Sequence, residues 1–225
     1  MAITPHTDKQ LSVGNCYPLG ATLMEDGVNF AIYSKNARAV YLLLFDQPNG
    51  APTDIIRLAT RTKFIWHTFV RGLKAGQMYG YKVSGDFDPA RGLRFNEDKL
   101  LIDPYAKALT GKARNADNLL LAYDAGSAEH DRSLDRRDNL SVVPKSIVID
   151  DRFDCQGDRA LNIPFEQLYI YEVHLKGFTA HASSSVAHPG TYLGFIDKIP
   201  YLKELGINAV ELLPIHEHYD DDFLL

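Results

Sequence analysis

The sequence has 225 residues, 45% of them hydrophobic and 24% charged, with a formal net charge of −5. That is enough apolar material for one large or two smaller domains, and it carries no basic footprint for nucleic acid or anionic lipid. No apolar run approaches the roughly 18 residues of a membrane span, so neither nucleic acid nor membrane is expected as a partner.

The opening "MAITPHTDKQ" lacks the basic and apolar regions of a secretory signal, and residues 1–14 read as a polar tail. Cys16 and Cys155 are far apart and unpatterned, which suits two thiols in a reducing cytosol, and the expected location is cytoplasmic.

From residue 15 the chain shows short runs of period two. Val28, Phe30 and Ile32 share one face of "GVNFAIY", and Val40, Leu42 and Leu44 one face of "VYLLLF". "FIWHTFV" sets Phe64, Trp66, Thr68 and Val70 against Ile65, His67 and Phe69. In "MYGYKV", Tyr79, Tyr81 and Val83 oppose Met78 and Lys82. Such runs, rich in β-branched and aromatic residues, are strands, and Glu25-Asp26-Gly27 and Gln47-Pro48-Asn49-Gly50 are turns between them. With no intervening helix, residues 15–113 are expected to form an all-β, immunoglobulin-like sandwich. Trp66 and Lys82, near adjacent strands, are the candidate glycan contacts: an aromatic face for a sugar ring and a donor for its hydroxyls. The competing reading of Trp66 is a core residue.

Residues 114–163 are polar and mixed in charge, and "LDRRDN" within them reads as a solvated face, so this stretch is expected to be a linker with at most one strand at "SIVID". "QLYIYEVHL" comes next, a near-continuous apolar strand of the kind buried on both faces in a parallel sheet. After an exposed loop, Phe195, Ile196, Ile199, Leu202 and Leu205 recur at helical spacing, with Pro200 tolerated in a first turn and Gly206 as the left-handed terminator. Ala209–Leu213 is a second buried strand. Strand, helix and strand over 164–225 predict a parallel βαβ unit. Two such strands leave open edges, so residues beyond about Phe165 are expected to be mobile, and the ending Leu224-Leu225 reads as a cut chain.

Two resemblances give these elements a context. "YPLGATLMEDGVNFAIYSKNARAVYLLLFD", "WHTFVRGLKAGQMYGYKVSG" and "GLRFNEDKLLIDPYAKALTG" resemble the N-terminal domain of isoamylase-type debranching enzymes, carbohydrate-binding module family 48. "YIYEVHLKGFT" and "GTYLGFIDKIPYLKELGINAVELLPIHE" resemble the first β–α–β of the catalytic barrel of glycoside hydrolase family 13. The combined fold is therefore a sandwich followed by an incomplete (β/α)8 TIM barrel start. In glycogen-binding relatives a lysine after a tyrosine touches the glucan, and Lys82 follows Tyr81. Family members carry Phe-Asp-Trp at the domain junction, where this chain has Phe153-Asp154-Cys155.

The resemblance implies hydrolysis of α-1,6 branch linkages in glycogen- or starch-type glucans by two carboxylates, without a cofactor. Its nucleophile, acid/base and sugar-orienting carboxylates belong to later barrel strands, so no catalytic residue is expected here, and Glu172 and Glu211 match none of those motifs. His174, His216 and Glu217 stand at the C-terminal ends of the two strands, where the family's substrate cleft opens, and are candidate sugar contacts. No metal site is expected: His216-Glu217-His218 lacks a second ligand set, and Asp220-Asp221-Asp222 lacks the alternating ligands and glycine of a calcium loop. The α-glucan is the expected partner. A non-catalytic glucan-binding module and a fragment of a branching enzyme are the alternative readings.

Overall fold

The computed structural model describes residues 3–216, which divide into two compact units meeting between Phe153 and Asp154. No helix among the described residues is long and apolar enough to cross a membrane.

The first unit is a β-sandwich. One sheet is built from β1 (Leu11–Ser12), β2 (Gly20–Met24), β3 (Gly27–Tyr33), β6 (Thr60–Thr62) and β7 (Ile65–Arg71). The other runs in the order β11 (Ser146–Ile147), β8 (Met78–Ser84), β4 (Ala39–Phe45) and β5 (Asp54–Arg57). A small ribbon, β9 (Phe87–Asp88) with β10 (Leu93–Arg94), follows β8. All the pairings in this unit are antiparallel.

The period-two faces fall where the sequence predicts. Val28, Phe30 and Ile32 meet Val40, Leu42, Leu44, Tyr79, Tyr81 and Val83 in one buried core between the sheets. Phe30 and Tyr79 cross that core edge to face, with centroids 5.1 Å apart. Phe64 departs from its expected side: Lys63 turns the hairpin with φ of 54°, so Phe64 sits at the tip, outside the strand and exposed.

The run "VYLLLF" is apolar on both faces because the second sheet has two cores. Leu43 and Phe45 point away from the first sheet and pack with Leu100, Val142 and Val143. Residues 99–143 form this outer layer, which corrects the expected linker: residues 114–153 belong to the sandwich unit. The segment shows no periodicity because polar side chains hold its irregular backbone. Asn139 donates to the Leu100 carbonyl (3.1 Å) and accepts its N–H (2.7 Å), imitating a strand partner. Asn96 donates to the carbonyls of Ala122 and Asp135. Lys145, fully buried, donates to the carbonyls of Leu140 and Val143 at 2.7 Å and lies 5.2 Å from the Phe45 ring centre.

"LDRRDN" is solvated only in part: Arg136, Arg137 and Asp138 are exposed, while Asp135 and Asn139 are buried. Asp135 is buried and accepts from Lys99 at 3.0 Å and from Arg137. Burial alone would raise the Asp135 carboxyl, but the Arg137 and Lys99 hydrogen bonds outweigh it and hold the group well below the ordinary carboxylate range. Asp103, which accepts from Tyr79 Oη at 2.8 Å, is shifted the other way, because burial dominates there.

The second unit contains the predicted βαβ unit. β12 (Ile170–Val173) and β13 (Ala209–Leu212) pair in parallel, Glu172 opposite Glu211. β12 is shorter than the expected 168–175, and only Val173 in it is buried, so the both-faces burial read from its sequence is not met within the described residues. Three short helices connect the strands: α1 (Leu175–Ala180), α2 (Tyr192–Asp197) and α3 (Ile199–Glu204). α1 replaces an expected loop, its Phe178 ring packed between Tyr171 and Phe195. The helix breaks at Lys198 and restarts with Pro200 in its first turn, where the missing N–H costs nothing. Gly206, at φ of 79°, ends α3, while Ile207 N–H bonds back to the Leu202 carbonyl.

Candidate functional site

Lys82 projects from the outer face of β8, the face that residues 99–143 cover. Its side chain is 13% exposed, and its ammonium donates to the Asp98 carbonyl at 3.1 Å and contacts the Asp138 carboxylate at 3.4 Å. The donors of this ammonium are thus largely committed within the fold. As a glucan contact Lys82 is corrected to a staple holding the outer layer, because the surface it would offer is occupied.

Trp66 is 8% exposed and belongs to the inter-sheet core, which corrects its reading as a sugar platform: neither ring face is open. Arg61 covers it from outside, guanidinium 5.1 Å from the ring centre. Its indole N–H donates to the Ser34 carbonyl at 3.1 Å. Trp66 and Lys82 sit on different sheets and are not brought together as a pair.

In the second unit, His174 and His216 follow the C-terminal ends of β12 and β13, the same end of a parallel pair. His174 Nδ1 accepts the Gly177 N–H at 2.8 Å and caps α1, so in the neutral ring the proton sits on Nε2. His216 is exposed. Glu217, with the acidic run 220–222, lies outside the described residues.

The structure exposes a constellation that alternation could not show. Tyr33, at the end of β3, is 53% exposed, and Phe64, at the β6–β7 tip, is 40% exposed. Their rings meet edge to face with centroids 6.1 Å apart. Lys35 Nζ lies 5.6 Å and the Arg61 guanidinium 5.7 Å from the Phe64 ring centre. Tyr33, Lys35 and Asn36 also line a cavity of about 780 Å³, together with Arg94, Asn96 and Leu101. Arg94 is fixed there by Asp131, donating to its carboxylate at 2.7 Å and its carbonyl at 2.6 Å. The signal in the sequence was weak: one aromatic at a strand end and another in a turn, neither inside a motif.

The sandwich has relatives. Residues 18–106 match the family model of carbohydrate-binding module 48, the isoamylase N-terminal domain. Those residues are similar to a family 48 module. That stretch together with the residues flanking it is 41% identical, over 212 residues, to a glycogen debranching enzyme of Serratia proteamaculans, a match covering 93% of this chain and 31% of that protein. Isoamylase 1, chloroplastic, of Oryza sativa subsp. japonica is 41% identical over 207 residues, 89% of this chain and 24% of its own length. The chain thus spans less than a third of these relatives, corresponding to their N-terminal part. Among solved structures, apo pullulanase from Paenibacillus barengoltzii superposes with a TM-score of 0.63 at 18% identity, over 92% of this chain and 28% of that one, which places the fold.

Proposed function

We propose that this chain is the N-terminal part of a glycogen-debranching hydrolase, in which the family 48 module holds α-glucan and the second unit begins a (β/α)8 barrel. The observation that carries this reading is the identity of 41% across 93% of the chain to a protein named for that activity. It is supported by the parallel pairing of β12 and β13 around three helices, the repeat from which such barrels are built.

The reaction is hydrolysis of α-1,6-glucosidic branch linkages. One carboxylate attacks the anomeric carbon while a second carboxyl group protonates the leaving oxygen; water then releases the glycosyl-enzyme with retained configuration. In this reading those carboxylates reside on barrel strands beyond residue 225. His174, His216 and Glu217 serve at the cleft end of the first two strands, where βα loops of a barrel meet substrate. His174, its Nδ1 committed to Gly177, offers an Nε2–H as donor to a sugar hydroxyl.

The test uses glycogen and both proteins. The product of the full gene is expected to release linear α-1,4 chains with retained anomeric configuration, and the 225-residue chain to release no reducing sugar. Turnover by the purified 225-residue chain, or inversion by the full product, overturns the reading.

A further inference from the structure

We infer that the glucan-binding surface of the module is the corner formed by Tyr33, Phe64, Lys35 and Asn36, and that its occupant is a linear α-1,4-glucan chain. The inference rests on the module holding α-glucan and goes further in placing the contact. The position after Tyr81, where a lysine would touch sugar on an open face, is closed here. Residues 99–143 cover that face and Lys82 is bound to Asp98 and Asp138.

On the opposite sheet, the middle of the outer face is closed as well. His67 donates from Nδ1 to the Val13 carbonyl at 2.9 Å, and Asn29 donates to the Asn15 carbonyl at 3.0 Å. The end of that sheet beside the β6–β7 tip stays open, and there two exposed rings are in mutual contact. A pyranose has a flat C–H face that gains from an aromatic surface, and hydroxyls that require donors and acceptors. Tyr33 and Phe64 supply the first, while Lys35 and Asn36, both exposed, supply the second. The cavity beside them leaves room for a chain to continue past Arg94.

The corner is built rather than incidental. The loop after β3 is tied to the β6–β7 tip by Ser34 N–H to the Phe64 carbonyl (2.8 Å), Trp66 Nε1–H to the Ser34 carbonyl (3.1 Å) and Arg61 to the Lys35 carbonyl (2.9 Å). Arg61 also donates to the Lys63 carbonyl at 2.8 Å. A rigid aromatic pair loses little freedom on binding, which favours a weakly interacting ligand such as sugar. Trp66 is then a positioning residue beneath the corner, and the single tryptophan of the sequence is a reporter there.

Maltoheptaose is titrated into the 225-residue chain, following Trp66 fluorescence and heat. Tyr33→Ala and Phe64→Ala should each weaken binding by about tenfold, with circular dichroism unchanged. Lys82→Ala should bind as the parent does, and Tyr33→Phe, which keeps the ring, should retain most of the affinity. Parental affinity in both alanine variants overturns the placement and leaves the module's glucan binding intact. Loss of binding in Lys82→Ala with a native spectrum also overturns it. Absence of saturable binding by the parent chain overturns both placement and glucan binding by the module, while the debranching reading stands or falls separately on glycogen hydrolysis by the full gene product.

Discussion

The two units of this molecule obey the same local rules and end differently. In the first, the central strands bury both faces: Val40, Leu42 and Leu44 against one sheet, Leu43 and Phe45 under the outer layer. In the second, β12 and β13 form a two-stranded ribbon, and Tyr169, Ile170, Tyr192, Leu193, Ile196 and Tyr201 remain exposed. Both units show well-formed local devices: caps at His174 and Thr191, and a glycine terminator at Gly206, in the second, and the Lys63 turn in the first. The difference lies in what covers the apolar faces. Local signals write the elements, and only a second layer turns them into a core.

Removing the polar anchor of the outer layer should erase this contrast most severely. Asp135→Asn leaves Lys99 buried without its counter-charge and should cost about 3–5 kcal/mol of sandwich stability in urea unfolding. A loss below about 1 kcal/mol would mean the outer layer is not held as described. Leu43→Ala should cost about 2–5 kcal/mol by the cavity it opens in the second core. The same truncation at Ile196, exposed in the second unit, should leave the sandwich transition where it was.

Acid probes the anchor from another side. The folded Asp135 carboxyl lies below its ordinary value of 3.8, so its contribution is fully present above that value and is lost as pH falls through it towards the folded pKa. Asp103 has the opposite sign: its raised folded pKa means its contribution shrinks as pH rises above the ordinary value of 3.8. The parent should therefore lose more stability below pH 3.8 than Asp135→Asn does, and equal acid slopes would count against the buried pair.

A pair of glycines gives the subtlest contrast. At Gly27 a Cβ would press on the Val70 carbonyl oxygen and Arg71 Cα across the β3–β7 ladder, so Gly27→Ala should destabilise the sandwich by about 1–3 kcal/mol. At Gly206 a Cβ meets nothing within 4 Å, and only the positive φ opposes it. Gly206→Ala should leave the sandwich transition unmoved and lower the helical circular dichroism slightly.

The strands of the sandwich were legible because alternation is a periodic signal, as in Val28-Phe30-Ile32. The outer layer was not, because Asn96, Lys99, Asp135, Asn139 and Lys145 satisfy irregular backbone in pairings mostly far apart in sequence. In a sequence, such residues look like a solvated linker. The same limit applies to the site. Trp66 and Lys82 have the side chains that sugar recognition uses, but packing closed both. Phe64 was left open by a turn at Lys63 whose left-handed φ no motif announced, and Tyr33 is the exposed last residue of β3. The βαβ unit was readable in kind and order, through Pro200 and Gly206, while its split into α2 and α3 came from backbone detail at Lys198.

Residue-resolved amide hydrogen exchange on the 225-residue chain is the decisive measurement, because it asks which segments share one core. If residues 99–143 are a layer of the sandwich, Leu100, Leu101, Val142 and Val143 exchange as slowly as Tyr79–Val83, and β12 and β13 exchange much faster. Fast exchange throughout 99–143 would overturn that, returning the stretch to a linker and reopening the face that carries Lys82.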